Sequence, residues 1–287
     1  MFSHIPVLLE EVIDALDIQP GKHYIDATLG GAGHTQEILK RGGKVLGIDQ
    51  DEDALGHVRE IIQDKNLTIA KGNFRNIKSI AEENGCTKVA GVLFDLGVSS
   101  YQLDEDRGFS IRRDEKLDMR MDRSQRLSAA DVVNGYPPED LVEIFMAYGE
   151  EEKSKEVAEK IVFERKKARI ETTGQLVDVI RQVIKPGGKV HPATRIFQAI
   201  RIEVNDELGA LKEGLQGALE LLNKDGRIAV ISFHSLEDRI IKRTFEAYTS
   251  EGFGETIHKK PVTAGEEELR KNPRARSAKL RVFKKTI

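Results

Sequence analysis

Glycines and carboxylates stand where short apolar segments of the sequence end, and together they could hold a nucleoside. A glycine-rich run, Gly30 to Gly33 (including Gly31), follows the first such segment and leads into a polar, helix-like stretch. Glycines there let the backbone approach a ligand closely. Sixteen residues past Gly33 a second apolar segment ends at Asp49, where a carboxylate can accept the two hydroxyl groups of a ribose. The chemistry predicted is the binding of an adenosine-containing ligand.

The spacing of the glycines separates two classes of adenosine ligand. A dinucleotide fingerprint has the form G-x-G-x-x-G, but Gln36 stands where the third glycine belongs, which disfavours a nicotinamide oxidoreductase. A sulfonium cofactor has no pyrophosphate to place at the helix N-terminus, and Asp26 at the end of the first apolar segment would suit its cationic amino-acid part. A glycine-rich turn without a ligand is the structural alternative for this segment alone.

Phe74 and Asp95 follow the third and fourth apolar segments. An adenine ring could lie against Phe74, although a single aromatic at such a position is more often part of the core. Ligands of doubly wound sheets bind outside the carboxyl ends of the strands. We therefore expect four such ends to line one crevice: Gly30 to Gly33, Asp49, Phe74 and Asp95.

Short apolar runs alternate with helix-like stretches over the first hundred residues, and this alternation predicts a parallel sheet with crossover helices. From about Leu103 charged helical sequence dominates, and the alternating pattern returns at Leu208 to Phe233, with Lys224 to Gly226 as a turn. A last strand, Leu280 to Phe283, would be antiparallel. The prediction is an α/β fold, a doubly wound mixed sheet with an inserted, mostly helical second domain, divided as 1–103, 104–206 and 207–287.

The charge distribution bears on the partners. The net charge is only -3 although 32% of the residues are charged, which disfavours a protein that coats bare nucleic acid but leaves room for a local basic patch. The charged stretch Glu150 to Lys167 is interpreted as a solvated helix with internal ion pairs rather than as an RNA-binding helix. The residues beyond Leu269 include no acid and could bind phosphates through eight cations: Arg270, Lys271, Arg274, Arg276, Lys279, Arg281, Lys284 and Lys285.

Cysteine content and hydropathy indicate the compartment. Cys86 is the only cysteine, so neither an internal disulfide nor a thiolate metal cage can form. No run of about 18 apolar residues and no export signal is present in the sequence. We expect a cytoplasmic protein without membrane contact; the oligomeric state stays open, a homo-oligomer included.

The sequence closely resembles the MraW/RsmH family of bacterial ribosomal RNA methyltransferases along nearly its full length. The segments that carry the resemblance are His4 to Leu9, Gly30 to His34, Phe94 to Gln102, Arg107 to Ser110, Leu117 to Asp122, His191 to Arg195, Val204 to Leu208, Ser232 to Arg239 and Asn272 to Ser277. The resemblance implies a class I, Rossmann-like methyltransferase domain interrupted by a helical domain that helps to recognise RNA. It implies methylation of the exocyclic N4 of a cytidine in the decoding centre of 16S rRNA, with the small ribosomal subunit as partner.

The resemblance also implies S-adenosylmethionine as cofactor, with contacts at Ala32, Gly33, His34, Asp49, Phe74, Asp95 and Gln102. Asp49, Phe74 and Asp95 follow from the residues as well, whereas His34 and Gln102 rest on the resemblance alone. Methylation of an amine requires that the nitrogen be held in line with the sulfonium methyl, so positioning and electrostatics should supply most of the acceleration and no metal is required.

Asp95 is the leading candidate to accept the amine hydrogens, by analogy with the D/N/S-P-P-aromatic motif of other amino-methyltransferases. Leu96-Gly97-Val98 replaces Pro-Pro-aromatic here, so Asp95 could serve the cofactor alone. His234 is a second candidate, to contact the base or relay a proton, with a structural hydrogen bond as its alternative. Arg107 to Phe109 and Met119 to Asp122 are candidate walls of the base pocket. A small-molecule methyltransferase and a nonenzymatic nucleotide- or RNA-binding assembly protein are the alternative functions.

Overall fold

The computed structural model describes residues 6–99, 102, 105–187 and 190–287. Four residues of the predicted segments lie outside the described residues: His4, Ile5, Ser100 and Tyr101. The first predicted domain boundary, between residues 103 and 104, lies outside them as well. The chain divides into two compact units, which we call unit 1 (Met1–Ser100 with Leu208–Ile287) and unit 2 (Tyr101–Glu207).

Unit 1 is built on a sheet with the strand order β3-β2-β1-β4-β5-β7-β6. Its strands are β1 His23–Asp26, β2 Lys44–Asp49, β3 Leu67–Lys71, β4 Val89–Asp95, β5 Leu222–Ser232, β6 Gly254–Thr256 and β7 Lys279–Lys285. The first five strands are parallel, and β7 runs antiparallel to β5 and to β6. The α/β class and the mixed, doubly wound sheet are therefore confirmed.

The helices in chain order are α1 Leu9–Leu16, α2 Gly33–Lys40, α3 Glu52–Ile61, α4 Ile77–Glu83, α5 Ala129–Gly135, α6 Pro138–Ala147, α7 Ser154–Arg165, α8 Thr173–Val183, α9 Thr194–Asn205, α10 Glu207–Leu221, α11 Ser235–Ser250 and α12 Glu266–Lys271. None of the helices in the described ranges combines the length and the apolar character that a bilayer crossing requires.

The sheet of unit 1 is covered on both faces, because successive side chains of a strand point to opposite sides. Along β4, Val92 and Phe94 belong to a core that includes Leu215 of α10. Leu93, between them, belongs to a second core with Val12 of α1. The carboxyl ends of the parallel strands, which carry Asp26, Asp49 and Asp95, are thus fixed by buried residues on either side.

Two local features differ from the sequence expectation. The predicted turn at Lys224 to Gly226 lies inside β5, where the pairing with β4 jumps from Val89 opposite Leu222 to Gly91 opposite Arg227. The extra residues form a bulge in which Asp225 has a left-handed φ of 65°. Strand β6 was not predicted, because three residues are too few to show an alternating pattern.

Unit 2 is mostly helical, as expected for the insert. Helix α7, predicted as a solvated helix, carries the internal ion pair Lys160 to Glu164 at 2.7 Å. It also buries one face through Val157, Ala158 and Ile161. The charged surface and the buried stripe occur together because helical neighbours lie three and four residues apart.

Candidate active site

The glycine loop between β1 and α2 requires left-handed backbone conformations and a close approach of Pro6 to Gly33. Gly30 and Ala32 both adopt left-handed φ angles, of 46° and 59°, and α2 begins directly afterwards at Gly33. A Cβ on Gly33 would lie 2.3 Å from Cγ of Pro6, so a side chain there would displace the N-terminal segment. Gly31 lies in the turn between these residues. The loop leaves the first N–H groups of α2 without intrahelical acceptors, as at any helix start.

Asp49, at the end of β2, is tied to this loop. Its Oδ2 accepts a hydrogen bond from the Gly30 N–H at 2.8 Å, and its Oδ1 accepts one from Asp51 N–H at 2.9 Å. Burial raises the pKa of Asp49 to about 6. Each carboxylate oxygen retains a lone pair, so the group can hold the loop and still accept hydrogen bonds from ligand hydroxyls.

Asp26, at the end of β1, accepts one hydrogen bond on each oxygen from within unit 1. Oδ2 accepts from Thr35 Oγ at 2.7 Å, and Oδ1 accepts from the Thr28 N–H at 3.3 Å. The residue is 2% exposed, and burial raises its pKa to about 6. The hydrogen bond to Thr35 fastens β1 to α2. The sequence analysis had considered Asp26 only as a partner for a cationic ligand and did not predict this structural role.

Asp95, at the end of β4, has a different environment. Its N–H donates to Thr28 Oγ1 at 2.7 Å, which fixes the backbone. Among the described residues its buried Oδ1 has no hydrogen-bond partner. Burial, followed by the nearby charges of Asp26 and Glu237, raises the pKa of Asp95 to about 8. The site therefore holds a carboxyl group that is largely protonated at neutral pH and whose buried oxygen has no hydrogen-bond partner in the described part of the chain.

The side chain of His34 points into unit 1. Its Nε2 lies 3.0 Å from the carbonyl oxygen of Val7, and its Nδ1 lies 3.9 Å from Oδ2 of Asp95. Because a carbonyl oxygen can only accept, Nε2 must carry the proton in this contact. The imidazole is thus directed at protein groups, and a contact of His34 with the cofactor stays a prediction.

Phe74 packs against the core, which is the alternative that the sequence analysis gave for it. Its ring stands edge-on to Phe94, with centroids 5.6 Å apart and an angle of 89° between the planes. A Cβ on Gly214 of α10 would lie 2.9 Å from Cδ2 of Phe74, so this glycine makes room for the ring. The ring is only partly buried, and its contact with an adenine stays a prediction.

His234 is the N-cap of α11. Its Nδ1 accepts a hydrogen bond from the Glu237 N–H at 3.4 Å, while Oε2 of Glu237 accepts from the Phe233 and His234 N–H groups at 2.8 Å and 3.2 Å. This reciprocal pair is a capping box, in which an imidazole takes the place usually held by a hydroxyl. The structural hydrogen bond that was the alternative for His234 is therefore present. A catalytic role for His234 stays a prediction.

The residues of unit 1 that were predicted to share a crevice lie on neighbouring strands. β2, β1 and β4 are adjacent, and the hydrogen bonds of Asp49 to Gly30 and of Asp95 to Thr28 join their ends. Gln102 is 5% exposed and belongs to unit 2, so its contact with the cofactor stays a prediction.

Comparison with known proteins assigns this arrangement to a family. Residues 1–286 match the MraW methylase family. The chain belongs to that family. It is a methyltransferase, with the mostly parallel α/β sheet predicted for a class I enzyme.

Two curated relatives match over nearly the whole chain. A ribosomal RNA small subunit methyltransferase H of Brevibacillus brevis is 47% identical over 308 residues, covering 99% of this chain and 98% of that protein. A protein of the same name from a Sulfurihydrogenibium species is 46% identical over 289 residues, covering 98% of this chain and 99% of its own. A solved rRNA methylase structure from Streptococcus thermophilus has a TM-score of 0.48 and 12% identity, covering 99% of this chain and 100% of that one, too distant to bear on function.

In unit 2 of this methylase, the two segments predicted as walls of the base pocket, Arg107 to Phe109 and Met119 to Asp122, are hydrogen-bonded to each other. The Arg107 guanidinium donates to the carbonyl oxygens of Arg120 and Met121, both at 2.8 Å. The Met119 N–H donates to the carbonyl of Arg107 at 2.9 Å, and Met119 has a left-handed φ of 60°. Asn205 accepts from Met121 N–H and donates to the Met119 carbonyl, each at 2.8 Å. These residues form a buried scaffold, a role that the sequence did not distinguish from base contact.

The basic C-terminal stretch of the methylase is less available to phosphates than its composition indicates. Asp238 pairs with both Lys279 at 2.9 Å and Arg281 at 2.6 Å. Lys284 pairs with Asp225 at 2.8 Å. The stretch has no acid of its own, but the fold supplies acids from α11 and β5, and much of the charge is neutralised within unit 1.

Proposed function

We propose that this methylase transfers the methyl group of S-adenosylmethionine to the exocyclic N4 of a cytidine in the decoding centre of bacterial 16S rRNA. Membership of the MraW methylase family supports the reaction class. The two relatives described above are named for the small-subunit ribosomal RNA, and each aligns with at least 98% of this chain. The small ribosomal subunit is accordingly the proposed partner, and the cytoplasm the proposed location.

The chemistry of the strand ends fits the cofactor. S-adenosylmethionine carries a sulfonium and an ammonium cation, a carboxylate, a ribose and an adenine, and when bound it supplies an electrophilic methyl group. Asp49 would accept the ribose hydroxyls, and the N-terminus of α2, at Gly33 and His34, would receive the carboxylate. The cationic half of the fit is supported by the carboxyl groups of Asp26, Asp49 and Asp95, whose pKa values are raised by burial and would be lowered by a nearby cation.

The carboxyl group of Asp95 at the end of β4, which has one oxygen without a hydrogen-bond partner among the described residues, is the single observation that carries the proposed reaction. The lone pair of a cytosine amine is delocalised into the ring, so the nitrogen must become pyramidal before it can attack. An oxygen fixed at the end of β4 can accept an amine hydrogen and hold the nitrogen in line with the methyl group. Buried oxygens without partners are rare in folded proteins, and a catalytic role is one of the reasons for which they occur.

Asp95 also suits the second half of the reaction. Loss of the methyl group from sulfur leaves a neutral thioether, and the methylated amine becomes strongly acidic. In the molecules whose Asp95 is ionised, the proton can pass to its carboxylate, which the raised pKa makes a better base than an exposed aspartate. Before any of this, the cytosine must leave its stack, which is least costly in single-stranded or loop RNA.

Methyl transfer to isolated small subunits tests the proposal. The protein is incubated with labelled S-adenosylmethionine and subunits that lack the modification, and the RNA is digested with nuclease and analysed by mass spectrometry. We expect label in one N4-methylated cytidine. Label in a free metabolite or in protein, with unlabelled RNA, would contradict the proposed substrate; label at another base atom would contradict the proposed acceptor. Parallel reactions on naked 16S rRNA show whether the assembled subunit is needed.

A further inference from the structure

Two arginines and a histidine of unit 2 lie together at the surface and have no part in the chemistry proposed above. They are Arg112, Arg181 of α8 and His191. Nη2 of Arg181 lies 3.2 Å from Nε2 of His191. The pKa of His191 is lowered by partial burial and then by the charges of Arg181 and Arg112, and no carboxylate in the described part of the chain counteracts them. Both arginines are exposed, so the cluster concentrates positive charge where a ligand can reach it.

The loop that carries Arg112 is fastened to the start of α8. Oδ1 of Asp114 accepts a hydrogen bond from the Gly174 N–H at 2.8 Å. A Cβ on Gly174 would lie 2.7 Å from the same oxygen, so the glycine allows this approach. Gly174 and Arg181 stand seven residues apart on α8 and therefore share a face of the helix. The loop and Arg181 thus lie on one side of α8, in agreement with the influence of both arginines on His191.

The imidazole of His191 has two donors beside it and cannot accept from both. Nδ1 lies 3.2 Å from the Ala193 nitrogen, and Nε2 lies 3.2 Å from Arg181. Both neighbours can only donate, whereas a neutral imidazole has one accepting nitrogen and an imidazolium has none. An anion beside Arg181 would resolve this conflict. The ring would then accept from Ala193 at Nδ1 and donate from Nε2 to the anion.

We propose that Arg112, Arg181 and His191 form a binding site for a phosphate group of the RNA backbone. The inference rests on the proposed function, because the substrate RNA supplies the anion. Arginine suits this ligand, since its planar guanidinium donates parallel hydrogen bonds to two phosphate oxygens. Helix α9 begins at Thr194, three residues after His191, and has no side-chain cap, so its N-terminus adds a favourable dipole.

A contact with phosphate positions the RNA and reads no sequence. The site should therefore contribute to affinity for any strand that reaches it, and the contribution should weaken as salt rises. Asp178, an exposed acid on α8, stands one turn before Arg181 and forms no ion pair in the described part of the chain. Its charge opposes the binding of an anion by the neighbouring arginine.

Filter binding over a series of salt concentrations tests the site. The ligands are unmodified 16S rRNA, naked or within small subunits. Arg112→Gln and Arg181→Gln should each weaken binding to both ligands on the order of tenfold. In the double variant the slope of log affinity against log salt should fall by about 0.7, because the cluster neutralises one phosphate. Asp178→Asn should strengthen binding.

Lys155→Gln removes one positive charge at an exposed position of α7 and is the matched control, with an affinity within about twofold of wild type. An unchanged affinity and salt slope for the double variant, or weaker binding by Asp178→Asn, would overturn the inference. Weaker binding to subunits with unchanged binding to naked RNA would indicate an acidic ribosomal protein as the partner, and would overturn it as well.

Inorganic phosphate is a second probe, used on the protein alone. At constant ionic strength it should move the Nε2 resonance of His191 in nitrogen NMR spectra of the ¹⁵N-histidine-labelled wild type, but not in the double variant. No movement in wild type, or equal movement in both, would refute the site. Movement in wild type with unchanged RNA affinity of the double variant would mean a site for free phosphate, and the assignment to RNA would fall.

The binding measurements do not depend on methyl transfer. If wild type transfers no methyl group to RNA while the double variant still binds RNA more weakly, the proposed function fails and the phosphate site stands. If wild type methylates the RNA and the double variant binds it as tightly, the phosphate site fails and the proposed function stands.

Discussion

Replacing Asp95 by asparagine should stabilise the protein, by an amount that depends on pH. The carboxyl has a raised pKa, from 3.8 to about 8, so the folded chain holds a proton that the unfolded chain has already released. Its contribution to stability is complete below pH 3.8 and is lost as the pH rises to about 8. Asparagine has no such dependence, so the variant gains on wild type throughout that window.

The expected size follows from the linkage relation. One unit of pKa corresponds to about 1.4 kcal/mol, so the full shift would amount to roughly 6 kcal/mol. The Asp95 side chain retains 24% exposure, and water reaching it reduces this figure. We expect the difference in free energy of unfolding between Asp95→Asn and wild type to grow by roughly 2 kcal/mol from about pH 5.5 to 7.5, and to level off above about pH 8.

Urea denaturation followed by circular dichroism, repeated across the pH series, measures this difference. Asp106→Asn, at an exposed position, controls for the loss of an ordinary carboxyl and should change the stability by less than about 0.5 kcal/mol at every pH. Parallel pH profiles for Asp95→Asn and wild type would show that Asp95 titrates normally, and the reasoning on the proton of Asp95 would fail. The same variant should lose on the order of 10²-fold or more in kcat, because asparagine cannot take the amine proton.

Three further substitutions test the site and the scaffold. Gly33→Ala places a Cβ 2.3 Å from Cγ of Pro6 and should lower the free energy of unfolding by roughly 1 to 3 kcal/mol in thermal denaturation. An unchanged melting temperature would mean that the N-terminal segment moves aside without a cost in stability. Asp49→Ala should weaken cofactor binding on the order of tenfold by calorimetry through lost ribose hydrogen bonds, and unchanged affinity would remove Asp49 from the site. Asn205→Ala removes three hydrogen bonds inside unit 2 and should lower the free energy of unfolding by roughly 2 to 4 kcal/mol in urea denaturation. A change of less than about 0.5 kcal/mol would show that Asn205 does not support the scaffold.

The sequence by itself was sufficient for the architecture and for placing several candidate residues at the ends of strands. Apolar runs of strand length, separated by helical periodicity, predict a doubly wound sheet, and the carboxyl ends of parallel strands must meet at one edge. Asp49 and Asp95 could therefore be assigned to strand ends at one edge of the sheet, and β7 to an antiparallel position, from local patterns alone. Short segments such as β6 carry no such pattern.

Only the tertiary structure decided which side chains are already hydrogen-bonded or ion-paired within the protein. Asp238 reaches across 43 residues to Arg281, and His34 across 27 residues to Val7, so no local spacing could indicate either contact. Protonation follows the same rule, because burial and nearby charges raise the pKa of Asp95, and both depend on the packing of distant segments. Residue types fix what chemistry a side chain can perform, whereas long-range contacts fix which of its atoms remain available for it.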